Sequence, residues 1–156
     1  MRKCEDTTAG LCDTSVFGGC FEEKFSEAST RFFEQVRDGT FVLVVSDVTF
    51  RELDPAPQYV WSLLDTVPAD FIEEVVSSDE SRRLQSAYLA AGVVGPACSN
   101  DAAHIAVATI ALVDIIVSWN FKHIVHYEKI MGYEGINTRL GYRTPRIYSP
   151  YEMISL

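Results

Sequence analysis

Three carboxylates at well-separated points of the chain are the residues whose types and settings could do chemistry: Asp13 in LCDTSVFGG, Glu52 in SDVTFREL and Asp101 in SNDAAHIAVA. A fourth polar group, Asn120, ends the run IIVSWN, with Ser118 just before the intervening tryptophan. Carboxylates gathered within a few ångströms raise one another's pKa and destabilise a fold unless a cation compensates. Hard oxygen donors favour Mg²⁺ or Mn²⁺ over zinc. Such ions lower the pKa of bound water and stabilise the oxyanions of in-line phosphodiester cleavage, so no protein nucleophile is required.

Each residue taken alone also has a plain structural reading. Asp13 follows a short strand end at Leu11-Cys12 and could cap a helix, while Thr14 and Ser15 carry hydroxyls able to orient its oxygens. Glu52 stands beside Arg51, a setting for a surface ion pair. Asp101 falls in the first turn of a helix, where the helix dipole favours an acid, and Asn120 suits a turn. His104 shares the helix face of Asp101, but a lone histidine on an alanine-rich helix is more often packed than a ligand. His123 and His126 have the spacing of a metal pair, yet no third soft ligand is near them in sequence, and they read as surface residues. The combination of acids, rather than any one of them, argues for a cation site.

The elements that would position these groups alternate in type. Glu22 to Asp38 has phenylalanines and Val36 on a near-helical period and closes at Gly39. FVLVVS follows as a continuous apolar run, as in a strand buried on both faces. Ser46 or Asp47 caps a short helix through VTFREL, and Pro55 and Pro57 stop it. A helix is expected over Tyr59 to Asp65, a strand over Phe71 to Val76, and a helix over Ser81 to Ala91 that opens at Ser78-Asp79 and ends at Gly92. Ser99 or Asn100 caps a helix over Asp101 to Ala111. Val113 to Val117 reads as a buried strand, Phe121 to Met131 as a short helix and Arg146 to Tyr148 as an edge strand. Strands separated by helices imply βαβ crossovers and a parallel sheet, whose ligands gather beyond the carboxyl ends of its strands.

At 156 residues and 47% hydrophobic, the chain has the size and composition of one globular domain. Its longest apolar segment, Ala102 to Val117, is interrupted by His104, Thr109 and Asp114 and is too short to span a membrane. The amino terminus begins basic without an apolar stretch behind it, so a cytoplasmic location is expected. Cys4, Cys12, Cys20 and Cys98 form no CxxC pair and read as thiols. A net charge of −9 opposes general coating of nucleic acid, although Arg139, Arg143 and Arg146 gather positive charge near the carboxyl terminus.

The ordered set DTS, EL, NDAAHIAVA and VDIIVSWNFKHI resembles the PIN-domain family, most closely its VapC-like branch of bacterial toxin ribonucleases, over roughly Leu11 to Pro150. The resemblance implies an α/β/α sandwich, three layers around a central parallel sheet ordered 3-2-1-4-5, with residues 1–156 forming one domain and 1–10 an irregular extension. It further implies a Mg²⁺- or Mn²⁺-dependent endoribonuclease with an RNA substrate, an antitoxin partner and self-association as a homodimer. By position, Asp13, Glu52 and Asp101 match the family's first three acids. Asn120 falls where many members carry a fourth, and Ser118 matches a Ser/Thr position; Ser15 supports Asp13. Asp13 and Asp101 would be direct metal ligands, with Glu52 and Asn120 acting directly or through water. Two departures stand out: Asn120 is neutral, and the leader Arg2 to Gly10 is too polar for a long central strand. They motivate an alternative, a catalytically weak or inert PIN-fold protein that works through protein contacts, with Tyr59, Trp61 and Tyr88 as exposed aromatics.

Overall fold

Leu43, Val44 and Val45 are all fully buried, although successive strand side chains point to opposite faces. The sheet that contains them must therefore be covered on both sides. A computed structural model describes residues 7–156 and has this arrangement. In chain order its elements are β1 (Ala9–Cys12), α1 (Thr14–Gly19), α2 (Ser26–Arg37), β2 (Val42–Ser46), α3 (Asp47–Leu53), α4 (Gln58–Trp61), β3 (Ile72–Val75), α5 (Asp79–Ala90), α6 (Ser99–Ile110), β4 (Ile115–Val117), α7 (Tyr127–Leu140), β5 (Arg146–Tyr148) and α8 (Pro150–Met153). All strand pairings are parallel, in the order 3-2-1-4-5.

Strand alternation sorts the core into two layers. Leu11, Val44 and Ile116 pack with Leu84 and Tyr88 of α5, Ala102, Ile105 and Ala106 of α6, and Tyr133 of α7. Cys12, Leu43, Val45, Ile115 and Val117 pack on the other face with Phe17 of α1, Phe32 and Phe33 of α2, and Met153 of α8. The result is the α/β/α sandwich expected from the sequence.

The differences from expectation lie at element ends. The polar leader yields a four-residue β1 beginning at Ala9, so residues 9 and 10 belong to the sheet, and residues 1–6, with Cys4, lie outside the described residues. α2 begins at Ser26, after turns over 20–25. The expected helix over Tyr59 to Asp65 is one α turn followed by a 3₁₀ turn over Ser62–Thr66. α6 starts at Ser99 with Cys98 at its cap, because a 3₁₀ turn over Pro96–Cys98 delivers the chain already curled. Residues 121–125 are turns and α7 begins only at Tyr127. The Asn120 side chain explains that delay, since its Oδ1 accepts from the backbone N–H of Lys122 and of His123 and offers the chain an alternative to the helix. Ser46 caps α3 through Thr49 N–H, and Ser78 opens α5 in a capping box with Ser81. Among the described residues no helix is long and apolar enough to cross a membrane.

Tyr88 corrects one expectation outright: it is 0% exposed, whereas Tyr59 and Trp61 are 58% and 38% exposed. Its hydroxyl donates to Asn137 Oδ1, and the Asn137 amide donates to Thr109 and Thr144 hydroxyls, so a buried polar set links α5, α6 and α7. Burial pushes the Tyr88 hydroxyl up to about 12. The folded-state value lies above the ordinary 10, so this stability is complete below 10 and is lost as pH climbs through about 12. Tyr88→Phe leaves Asn137 Oδ1 without its donor and is expected to lower stability at neutral pH by about 1–3 kcal/mol. Denaturant unfolding at neutral and alkaline pH checks both effects: the deficit should shrink as pH passes 10.

Candidate active site at the carboxyl edge of the sheet

The strand order reverses beside β1, which has β2 on one side and β4 on the other. Crevices at such points, beyond the strands' carboxyl ends, are where α/β sheets hold ligands. Register sets the first contact there. Cys12 pairs with Val117, so the next residues, Asp13 and Ser118, leave the sheet side by side. The Ser118 hydroxyl donates to Asp13 Oδ2 at 2.7 Å, and the Ser15 hydroxyl, in the first turn of α1, donates to Oδ1 at 2.5 Å. Both serine oxygens in turn accept backbone N–H groups, from Asn120 and Trp119 respectively, each at 2.9 Å. Asp13 occupies the cap position of α1 but makes no capping bond. Its oxygens are committed to the crevice instead.

Glu52 projects from α3, which Ser46 ties to the end of β2, and Thr49 Oγ1 donates to Cys12 carbonyl oxygen at 3.3 Å, binding α3 to β1. Glu52 does not pair with Arg51: Oε2 accepts from Thr14 and Oε1 meets His104 Nε2. Asp101 enters from the first turn of α6, where its Oδ1 accepts from the Asn120 amide at 3.2 Å. Asp13, Glu52, Asp101 and Asn120 thus line one cavity of about 390 Å³, together with Thr14, Ser15, Glu22, Phe25 and Trp119. Glu22 supplies a fourth carboxylate that the sequence reading assigned only to a helix. Phe25 and Trp119 form a stacked wall with centroids 4.3 Å apart, and Lys24 lies over the Phe25 ring.

The electrostatics explain the spacing. Burial, more than the Glu52 charge, raises the Asp13 pKa above its ordinary 3.8, while His104 and the two serine hydroxyls pull it back. Asp101 is raised in the same way, with His104, His123 and Asn120 opposing. His104 is fully buried, and its pKa is nevertheless raised: desolvation works against the imidazolium, but the Glu52 hydrogen bond and the Asp13, Glu52 and Asp101 charges outweigh it. When protonated, His104 is thus placed as an internal counter-ion to the three carboxylates. Along the sequence it resembles a packed histidine, because its partner Glu52 is remote in the chain. Its Nδ1 is buried without a hydrogen-bond partner, a cost that a purely structural histidine has no reason to carry.

The donor set tests the expected cation directly. The oxygens of Asp13, Glu52 and Asp101 are hard donors facing one cavity, which fits Mg²⁺ or Mn²⁺. Their ligand atoms do not all lie within 4.8 Å of one another; among the described residues those of Cys98, Asp101 and His123 do. The three acids therefore suit a cation held partly through water. Asn120 Oδ1 is occupied by two backbone N–H groups, so its side chain presents an amide to Asp101 rather than an oxygen to an ion. His123 and His126, expected at the surface, are half-buried. Arg143 and Arg146 line a different cavity, with Thr8, Asp114 and Pro145, at the amino ends of β4 and β5 and thus the opposite edge of the sheet.

The sequence matches no protein-family model and no curated protein. A solved structure does match: a chain of FitAcB from Neisseria gonorrhoeae is similar with a TM-score of 0.56 and 12% identity, over 91% of this chain and 98% of that one. At that identity the likeness carries the fold alone. The fold is PIN-like, a parallel five-stranded sheet between helical layers.

Because the Asp13 pKa is raised on folding, this group contributes stability that is present below 3.8 and is lost as pH rises through the folded-state value. Asp13→Asn removes the buried charge while an amide can still bond the serines. In cation-free buffer at neutral pH the variant is expected to melt above wild type, with the gap closing toward pH 3.8. Thermal melts across pH, with and without Mn²⁺, check this: added Mn²⁺ should raise the wild-type midpoint and leave the variant's nearly unmoved.

Proposed function

We propose that this chain is a Mg²⁺- or Mn²⁺-dependent endoribonuclease that hydrolyses RNA phosphodiester bonds. The observation that carries the reading is the convergence of Asp13, Glu52 and Asp101 on one cavity at the switch point of the sheet. Asp13 and Asp101 are the residues that would hold the cation directly, with Glu52 acting through water and Asn120 positioning Asp101. When bound, the cation supplies activation of water and neutralisation of charge on the phosphate oxygens. Ser15 and Ser118 keep both oxygens of Asp13 aimed into the cavity. The Glu52 and His104 pair holds a proton at the cavity wall, within the same group of charges. Phe25, stacked on the buried Trp119, supplies the aromatic part of the cavity lining, and Lys24 over its ring brings positive charge that would favour a phosphate backbone there.

The resemblance to VapC-like toxins extends the proposal to a cytoplasmic toxin of a toxin-antitoxin pair, folded as one domain. The exposed Phe21, Phe50, Tyr59 and Trp61 are the surface on which an antitoxin or a second copy would dock. The alternative of an inert scaffold working through protein contacts draws on His104, which neutralises the acids from within, and on Asn120.

Cleavage of a mixed RNA panel with and without Mn²⁺ separates the two. Wild type should cut only with the ion, and Asp13→Asn or Asp101→Asn should each lower the rate by more than about 100-fold, since even residues behind metal ligands cost 10–100-fold. Asn120→Asp sets a second carboxylate against Asp101, so it should melt below wild type without ions, show a larger Mn²⁺-induced rise and cut faster. Cleavage that survives both Asp→Asn changes would sink the assignment, and a wild type that neither cuts nor responds to Mn²⁺ would favour the scaffold.

A further inference from the structure

Asp101 also belongs to a second, chemically different set of donors, formed with Cys98 and His123. Cys98 sits at the amino-terminal cap of α6, Asp101 in its first turn and His123 in the turn after β4, and one ligand atom from each lies within 4.8 Å of the others. Elements that hold them are fixed independently. Gln85 of α5 donates to the backbone oxygen and the hydroxyl of Ser99, next to Cys98, both at 2.9 Å. His123 is held at its N–H by Asn120 and at its carbonyl oxygen by the buried Tyr133 hydroxyl. Cys98 is a free thiol. A second observation points to a ligand: His123 Nδ1 is buried without a hydrogen-bond partner. Buried polar atoms are nearly always paired, and one that is not calls for an explanation.

We infer that Cys98, Asp101 and His123 form a site for a soft transition-metal ion of the Zn²⁺ class, distinct from the hard site proposed for the three acids and overlapping it at Asp101. A thiolate, an imidazole and one carboxylate, with a fourth position open to water, is a zinc donor set and a poor one for Mg²⁺. Zinc donors lie 2.0–2.3 Å from the ion and so about 3.3–3.8 Å from each other. The observed spacing, within 4.8 Å, exceeds that by at most about 1.5 Å, which side-chain rotation closes. This site needs no RNA cleavage to exist. Its consequence for the nuclease rests on that reading: an ion held here takes Asp101 from the hard cation.

The test is titration of the reduced full-length chain with Co²⁺, followed by optical absorption, and then with Zn²⁺. Wild type should develop a thiolate-to-cobalt charge-transfer band with tetrahedral visible bands at one equivalent, and Zn²⁺ should bleach them. Cys98→Ser and His123→Gln should each weaken binding by at least about 100-fold, with circular dichroism showing that they remain folded. Asp13→Asn should keep the band, which separates this site from the hard one. A folded wild type with no band overturns the inference, as does a band that Cys98→Ser retains or Asp13→Asn removes. Loss of RNA cleavage in any of these proteins bears on the nuclease alone.

Discussion

The carboxylate of Asp13 is buried at the end of the central strand, and the surrounding structure is arranged to make that tolerable. A lone buried charge of this kind would drive the group to neutralise. Here two serine hydroxyls donate to its oxygens, and a histidine on the facing helix, when protonated, offsets its charge. Those compensations impose conditions on distant parts of the chain. The parallel register of β1 and β4 must bring Ser118 level with Asp13. α6 must lie close enough to the sheet for His104 to reach Glu52, and the small side chains of Ala102, Ala103 and Ala106 permit that approach. Gly19 serves the other layer: a Cβ there would stand 2.6 Å from both Ser29 Oγ and Trp119 Nε1, which are hydrogen-bonded to each other. The indole that walls the cavity is thereby fixed against α1 and α2.

Strand identity, layer order and the placement of Asp13 were legible because each depends on local pattern. Val42 to Val45 announces a strand covered on both faces, and an acid placed just beyond a strand lands at the carboxyl edge of the sheet whatever the loop does. What was not legible depends on partners far apart in the chain. His104 could not be separated from a packed histidine without knowing that Glu52 of α3 faces it. Tyr88 carries the same aromatic character as Tyr59, but only the convergence of α5 and α7 on Asn137 decides that one is core and the other exposed. The link between His123 and Cys98 is likewise invisible along the chain, since the residues come from opposite ends of α6 and β4. Element ends failed for a local reason that sequence could have supplied: Asn120 captures two backbone N–H groups and postpones α7.

Asp101 is the residue on which the competing chemistries converge. It lines the cavity shared with Asp13 and Glu52, and its carboxylate also lies within 4.8 Å of the Cys98 and His123 ligand atoms. Asn120 sets the balance between them. A carboxylate at that position would add a negative charge beside Asp101 and increase the demand for a hard divalent cation. The amide donates a hydrogen bond to Asp101 instead, and its oxygen is turned to the backbone of Lys122 and His123. That lowers the charge that a hard ion must offset while holding His123 in place beside the thiol. A single neutral side chain in the turn after β4 thus weakens the case for a second hard ion and secures one wall of the softer site, which is why substitution at Asn120 should shift metal preference and not merely metal affinity.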